Sequence, residues 1–231
     1  MTEQEYIDRA IKRPAMAAWA ADATEKGVAL RAALYNALSQ IALYVRPPYA
    51  KATHTVTVTS DASTYVLRGS GGDCLDIIEI TDSDGRTIPE IGEKQYRESL
   101  RRGTSYSNTK NWYNAGESGG YPVVTFVDTP SDTEVYTYRY HRNRVDADEV
   151  PEIWSWVVFR GIEADLFGAA SVFSAQQQAR AVDPSYYDHR FKMALKMMKD
   201  KYPARDGSER KSMMDRNWAT MNRRRNNKYG Y

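Results

Sequence analysis

One cysteine, three histidines and five phenylalanines are all that 231 residues contain of those types. No apolar run reaches the roughly 18 residues that a membrane-crossing helix needs, so no membrane partner is expected. The single Cys74 excludes an internal disulfide and a multi-cysteine zinc site, fits a reducing cytoplasm, and reads as a small buried hydrophobe. The N-terminal MTEQEYIDRA is acidic and polar where a secretory signal would be basic and then apolar. His54, His141 and His189 lie far apart and none belongs to an HExxH pair, so no metal is expected. Gly69 to Gly72 (GSGG) lacks the Lys-Ser/Thr end of a phosphate-binding loop and leads into no helix, which makes it a turn. In Asp82 to Gly85 (DSDG) the glycine comes two positions too early for a calcium loop, and Arg86 occupies a ligand position. A hairpin turn explains it better, and no cofactor is expected.

Catalytic carboxylates are equally scarce. Glu163 and Asp165, near Arg160, are the best candidates for a pair, but a separation of two residues on a helix puts them on different faces. They read as ordinary surface or inter-subunit ion pairs, and no catalytic residue is assigned.

What the chain has in abundance is tyrosine, 17 against five phenylalanines, and a basic end. Tyrosine combines a large apolar face with a polar tip, which suits surfaces buried against other chains; β-propensity is the competing explanation. In residues 203–231 eight Arg or Lys against three Asp or Glu give +5, so the other 202 residues sum to −3. The charges are Arg205, Arg210, Lys211, Arg216, Arg223, Arg224, Arg225 and Lys228, and among them sit Met213, Met214, Trp218, Met221, Tyr229 and Tyr231. A solvating tail has little use for such side chains, so the segment reads as an arm that docks on a partner. With a net charge of only +2 the chain shows no broad basic face, and a non-specific contact with passing DNA fits the arm better than sequence reading.

Periodicity gives the plan. A short helix spans Thr2 to Ile11; a longer one, Ala15 to Val45, carries the stripe Met16, Trp19, Ala23, Leu30, Leu34, Leu38, Ile41 and Val45, with Gly27 as a kink or close contact, and ends at Arg46-Pro47-Pro48. Strand signals follow: His54 to Thr59, Tyr65 to Arg68, Leu75 to Thr81 turning at DSDG into Arg86 to Ile88, then Val123 to Val127 and Glu134 to Tyr140 as a second hairpin through residues 128–132. Glu93 to Arg101 reads as a short helix, and residues 103–120 as an exposed loop around Trp112 and Tyr113. Helix returns at Asp148 to Pro151 with the stripe Ile153, Trp156, Phe159, Ile162, Leu166, Ala170 and Phe173. A last helix begins at Asp183-Pro184 with the face Tyr187, Phe191, Leu195, Met198 and Tyr202. The expected class is α+β: a helical bundle (1–50 and 147–202) with an inserted antiparallel β-domain (51–146) and an extended C-terminal arm (203–231).

This order of elements, with Tyr138 to Arg142 (YRYHR) running into Glu149 to Trp154 (EVPEIW), a long Ala- and Gly-bearing helix, Tyr186 to Phe191 (YYDHRF) and a basic tail, resembles the head-to-tail adaptor (connector) proteins of tailed bacteriophages. It resembles in particular the short-tailed-phage-like adaptors with a β-domain inserted in a helical core. The resemblance implies a non-enzymatic, commonly dodecameric ring beneath the portal protein, made in the host cytoplasm and carried in the neck of the virion. It also implies that the helices pack side to side, the arm reaches onto the portal, and the insertion faces the tail or nozzle proteins. On that mapping the portal-binding residues are Arg205, Arg210, Lys211, Met214, Arg216, Trp218, Arg223, Arg224, Arg225, Tyr229 and Tyr231, and the tail-facing loop holds Trp112 and Tyr113. The alternatives are a tail-associated cell-wall hydrolase, with only scattered carboxylates behind it, and a DNA-binding protein.

Overall fold

In chain order the elements are α1 (Glu3–Ile11), α2 (Pro14–Ala17), α3 (Ala23–Gln40), β1 (Lys51–Val58), β2 (Thr64–Val66), β3 (Cys74–Thr81), β4 (Thr87–Ile88), α4 (Glu93–Arg102), β5 (Trp112–Ser118), β6 (Tyr121–Phe126), β7 (Glu134–Arg142), α5 (Ser155–Phe167) and α6 (Pro184–Lys201). This computed structural model describes residues 1–17, 22–102, 110–127, 130, 132–169 and 183–202. The class is α+β, helices combined with two antiparallel sheets.

α1 starts at Thr2, whose hydroxyl accepts from the Glu5 amide at 3.3 Å while Glu5 accepts from the Thr2 amide at 2.8 Å. This reciprocal box satisfies two amides that a helix start leaves open. The single helix expected from Ala15 to Val45 is instead interrupted. α3 begins afresh at Asp22, whose carboxylate accepts from the Glu25 amide at 2.8 Å, because a short acidic side chain that reaches nearby amides favours a helix start over a helix interior. Trp19 lies outside the described residues and Ala23 is exposed, so the buried stripe of α3 is Leu30, Ala33, Leu34, Ala37 and Leu38. A Cβ at Gly27 would meet no described residue within 4 Å, so that glycine serves no close contact among the described residues. After α3 a wider helical turn, Ile41–Val45, leads to Arg46 in the left-handed region (φ 50°) ahead of Pro47. By length and hydropathy Ala23–Val45 is the described helix that satisfies a membrane-span test, yet its buried face forms the centre of the protein.

α5 is covered almost all round: Val157, Val158, Phe159, Ile162, Leu166 and Phe167 are buried. The expected stripe holds at Phe159, Ile162 and Leu166 and fails at Ile153 and Trp156, which are exposed because they belong to the turn and first residues of the helix, outside the packed bundle. Ala170 and Phe173 lie outside the described residues. A Cβ at Gly161 would stand 2.5 Å from the Ala37 Cβ and 3.0 Å from the Phe191 ring, so the missing side chain is what lets α3, α5 and α6 meet there. α6 begins, as expected, at Asp183-Pro184, with the Asp183 carboxylate accepting from the Ser185 amide at 2.9 Å.

The insertion has its own hydrophobic cluster, centred on Leu67, Cys74, Ile80, Trp112, Val124, Phe126, Tyr136, Tyr138 and Tyr140. Its strands form one sheet ordered β1-β7-β3-β4 and another ordered β2-β6-β5. The DSDG hairpin joins β3 and β4, with Asp82 Oδ1 accepting from the Asp84 and Arg86 amides and Gly85 at φ +78°. The second hairpin expected between Val123–Val127 and Glu134–Tyr140 does not form, since β6 and β7 lie in different sheets. β6 turns back instead on β5 through Gly119 and Gly120, both at positive φ, the geometry of a two-residue type I′ turn. The loop expected over 103–120 is therefore strand from Trp112 to Ser118.

Tyrosine is a core residue here. Tyr136, Tyr138 and Tyr140 point inward from β7, and among the described tyrosines only Tyr44 and Tyr186 are exposed. Strand propensity and core packing thus account for much of an excess that also suited chain-to-chain surfaces. Tyr138 Oη accepts from the Gly69 amide at 2.9 Å; Tyr140 Oη accepts from the Ser70 amide at 3.0 Å and donates to Asp73 at 2.8 Å. Two amides of the GSGG turn are thereby spent on tyrosine hydroxyls.

Burial pushes the phenols of Tyr6 and Tyr140 up to about 12. Unfolded tyrosines lose their protons near pH 10, so above that value the unfolded chain binds fewer protons than the folded one and stability falls. Resistance to urea is expected to hold below about pH 10 and to drop between about pH 10 and 12, with tyrosinate absorbance rising together with loss of the circular dichroism signal. Full titration of all tyrosines near pH 10 with the fold intact would contradict the packing described.

Candidate assembly interface

The arm residues Arg205, Arg210, Lys211, Met214, Arg216, Trp218, Arg223, Arg224, Arg225, Tyr229 and Tyr231 lie outside the described residues. Their point of departure does not. Tyr202 closes α6, its ring edge-on to Tyr49 at 6.1 Å and its hydroxyl accepting from Trp154 Nε1 at 3.2 Å. Trp112, expected on an exposed loop, is buried in the insertion and donates from Nε1 to the Ile88 carbonyl at 3.1 Å. Tyr113 is half-buried and stacks on Tyr96 with centroids 4.8 Å apart. The strand starts earlier than the Gly, Ser and Asn content of the region suggests because Trp112 supplies a large apolar side chain opposite Phe126.

The two candidate carboxylates are both engaged within the chain. Glu163 is 8% exposed and bridges Arg13 at 2.5 Å and Arg160 at 2.7 Å, while the Arg13 guanidinium also lies 4.3 Å over the Phe159 ring. It is a partly buried tie between the α1–α2 junction and α5, where a surface pair was expected. Asp165 faces elsewhere and accepts from Asn36 Nδ2 at 2.9 Å. Among the described residues no group of three His, Cys, Asp or Glu side chains is placed to hold a metal ion.

The chemistry the surface does offer is adhesive. α6 buries Ala194, Leu195 and Met198 and packs Tyr187 and Phe191 against the core, as its expected face requires. About a third of a turn around the helix from that face, at spacings of seven and four residues, Tyr186, Met193 and Met197 stand about half exposed. Arg190 sits among them, donating to Tyr186 Oη at 2.6 Å and lying 5.0 Å over its ring. Lys196 and Lys201 flank this strip and Asp200 lies beside it, whereas Lys199 is turned away and sits 4.6 Å over the Tyr44 ring. The sequence reading gave α6 one face; the recurrence of Tyr186, Met193 and Met197 at helical spacing was the overlooked signal for the second. At the entrance to α5, Ile153 is 74% exposed beside exposed Trp156, and the neighbouring acids are Asp148, Glu149 and Glu152. The molecule thus displays two exposed apolar features, a strip along α6 and a patch at the start of α5.

Between the helices and the insertion a single side chain spans both crossings of the chain. Arg142, at the end of β7, donates to Asp146 at 2.9 Å, to Glu149, and to the Tyr49 carbonyl at 2.8 Å. Beside it an open cleft of about 860 Å³ separates the α3 end (Ser39, Leu43) from the turn at Gly71 to Asp73, with Arg144 on its wall.

Because Asp146 and Glu149 remain half-exposed, solvent screens them and Arg142→Ala is expected to cost about 1–3 kcal/mol rather than the larger penalty of a fully buried pair. Limited proteolysis of that variant should cut first at residues 46–51 and 143–150, before either hydrophobic cluster opens. An unchanged cleavage pattern would remove Arg142 from this role.

A family model for the SU10 adaptor protein matches residues 1–224, almost the full length, and the chain belongs to that family of phage adaptors, a structural and not an enzymatic class. No curated protein matches it.

Proposed function

We propose that this adaptor assembles as a ring, commonly dodecameric in proteins of this plan, beneath the portal in the virion neck. The ring lengthens the channel for DNA and gives the tail a platform to dock on. The observation that carries the reading is the family match itself, which continues through the basic segment as far as Arg224. The surfaces support it. The apolar strip of α6 (Tyr186, Met193, Met197) meets the apolar patch at Ile153 and Trp156 of the next subunit, a head-to-tail contact of the kind that closes into rings.

The arm leaves the bundle at Tyr202 and docks on the portal. Trp218, Met214, Tyr229 and Tyr231 act as apolar anchors, and Arg205, Arg210, Lys211, Arg216 and Arg223 to Arg225 as charge contacts. A segment that gains its order on the portal couples assembly of the ring to that surface, which disfavours premature rings. The insertion faces the tail or nozzle proteins. With Trp112 in the core, the contact there belongs to Tyr113 and the exposed β5–β6 hairpin beyond it. Arginines of the arm touch passing DNA without reading its sequence.

The test mixes the intact chain with its portal ring beside a version ending at Tyr202, and measures the mass of the complexes. Saturable binding of about one copy per portal subunit, lost on truncation, is the expected result. Absence of binding by the intact chain, or equal binding by the shortened one, would overturn the portal-docked arm.

A further inference from the structure

The two sheets of the insertion differ in how their outer strands are protected. β2 and β4 are three and two residues long. β5 carries a bulge between Asn114 and Gly116. β3, beyond its short pairing with β4, has register shifts at Cys74/Asp76 and Ile77/Glu79 and bears two acids, Asp76 and Glu79. Short strands, bulges and charges are the usual means of keeping an edge from pairing with another chain.

β1 has none of them beyond the charge of Lys51 at its first position. Its eight residues pair with β7 in unbroken register from Lys51↔His141 to Val58↔Glu134. Ala52 to Val58 contain no proline, no glycine and no Asp, Glu, Lys or Arg. Thr53, His54, Thr55 and Thr57 are exposed, and among the described residues no backbone group of Ala52 to Val58 bonds to a chain segment other than β7. An edge this long, regular and uncharged is a template for a strand.

We infer that in the free protein this edge is covered by β1 of a second copy. The two strands run antiparallel about a twofold axis at Thr55, and two four-stranded sheets join into one. The sequence is self-complementary in this arrangement. Thr53 falls opposite Thr57 of the partner subunit, and His54 opposite the partner subunit's Val56. Ala52 falls opposite Val58 of the partner subunit. The threonine face and the mixed apolar face each continue across the junction, and threonine pairs and apolar pairs both stabilise neighbouring strands. Lys51, the strand's single charged residue, lies at its end and faces Thr59 of the partner subunit, so like charges do not oppose one another. The other outer strands offer a second copy only bulged, acidic or very short edges. The pairing belongs to the unassembled chain and does not depend on the ring proposed above.

The test uses the full chain in three forms. The wild type should have twice the chain mass by light scattering at about 100 μM, a concentration that populates even a micromolar dimer. Thr55→Lys, at an exposed position, places two ammonium groups face to face and should weaken the dimer at least about tenfold with an unchanged circular dichroism spectrum. Thr55→Cys should oxidise to a covalent dimer much faster than Ser83→Cys, an exposed control in the β3–β4 turn. Native Cys74 does not compete, being buried with its thiol pushed up to about 12 by burial. A monomer at that concentration, an oligomer that Thr55→Lys leaves intact, or equal oxidation of the two cysteine variants would each overturn the inference.

Discussion

Arg142 occupies the place where the chain makes its second crossing between helices and sheets, and one guanidinium holds the first crossing as well through the Tyr49 carbonyl. The constraint behind it is simple. α3 and the α5–α6 pair share one hydrophobic core, although 114 residues (41–154) separate α3 from α5 in sequence. The insertion must therefore leave and return at nearby points, and the loop-closure entropy of that excursion is offset where the two crossings are tied. A planar fork with several donors suits this task, because it can satisfy two carboxylates and a carbonyl at once. The Arg46–Asp76 ion pair at 3.4 Å, with both side chains about half exposed, adds only a weak second tie.

From that junction outward the two halves solve different packing problems. The helical half brings three helices together at Ala37, Gly161 and Phe191, where no larger side chain fits at Gly161. The strand half uses tyrosines that fill the space between sheets and also hydrogen-bond the glycine turn above them. Among the described residues the exposed apolar side chains include Tyr186, Met193 and Met197 on α6 and Ile153 and Trp156 at the start of α5, besides Val28, Tyr44 and Val135 elsewhere. An adaptor needs such surfaces and no reactive cleft. Glu163, the chain's nearest approach to a catalytic carboxylate, is instead clamped between two arginines.

Much of this was legible in the sequence where a residue acts locally. Asp183-Pro184 announced α6, the DSDG turn announced the β3–β4 hairpin, and the core face of α6 followed from its spacing. What escaped depends on choices between partners. Period-two alternation fixes which side of a strand is buried and says little about which strand lies beside it, so β6 and β7 looked like a hairpin although they belong to different sheets. The true β5–β6 turn at Gly119-Gly120 was hidden in a stretch whose composition reads as loop. Asp22 broke a helix that apolar periodicity carried straight through it, since capping by a single side chain outweighs a pattern that continues on either side. Trp112 was read as exposed because its neighbours are polar, while its own bulk placed it in the core.

The decisive observation on the assembly surfaces would be hydrogen exchange of the chain, peptide by peptide, free and bound to its portal. Docking through the arm and the helical flank predicts slower exchange in residues 203–231 and along Pro184–Lys201, with Trp112–Ser118 unchanged. Slowing confined to the inserted strands, with the arm and α6 exchanging as in the free protein, would contradict it.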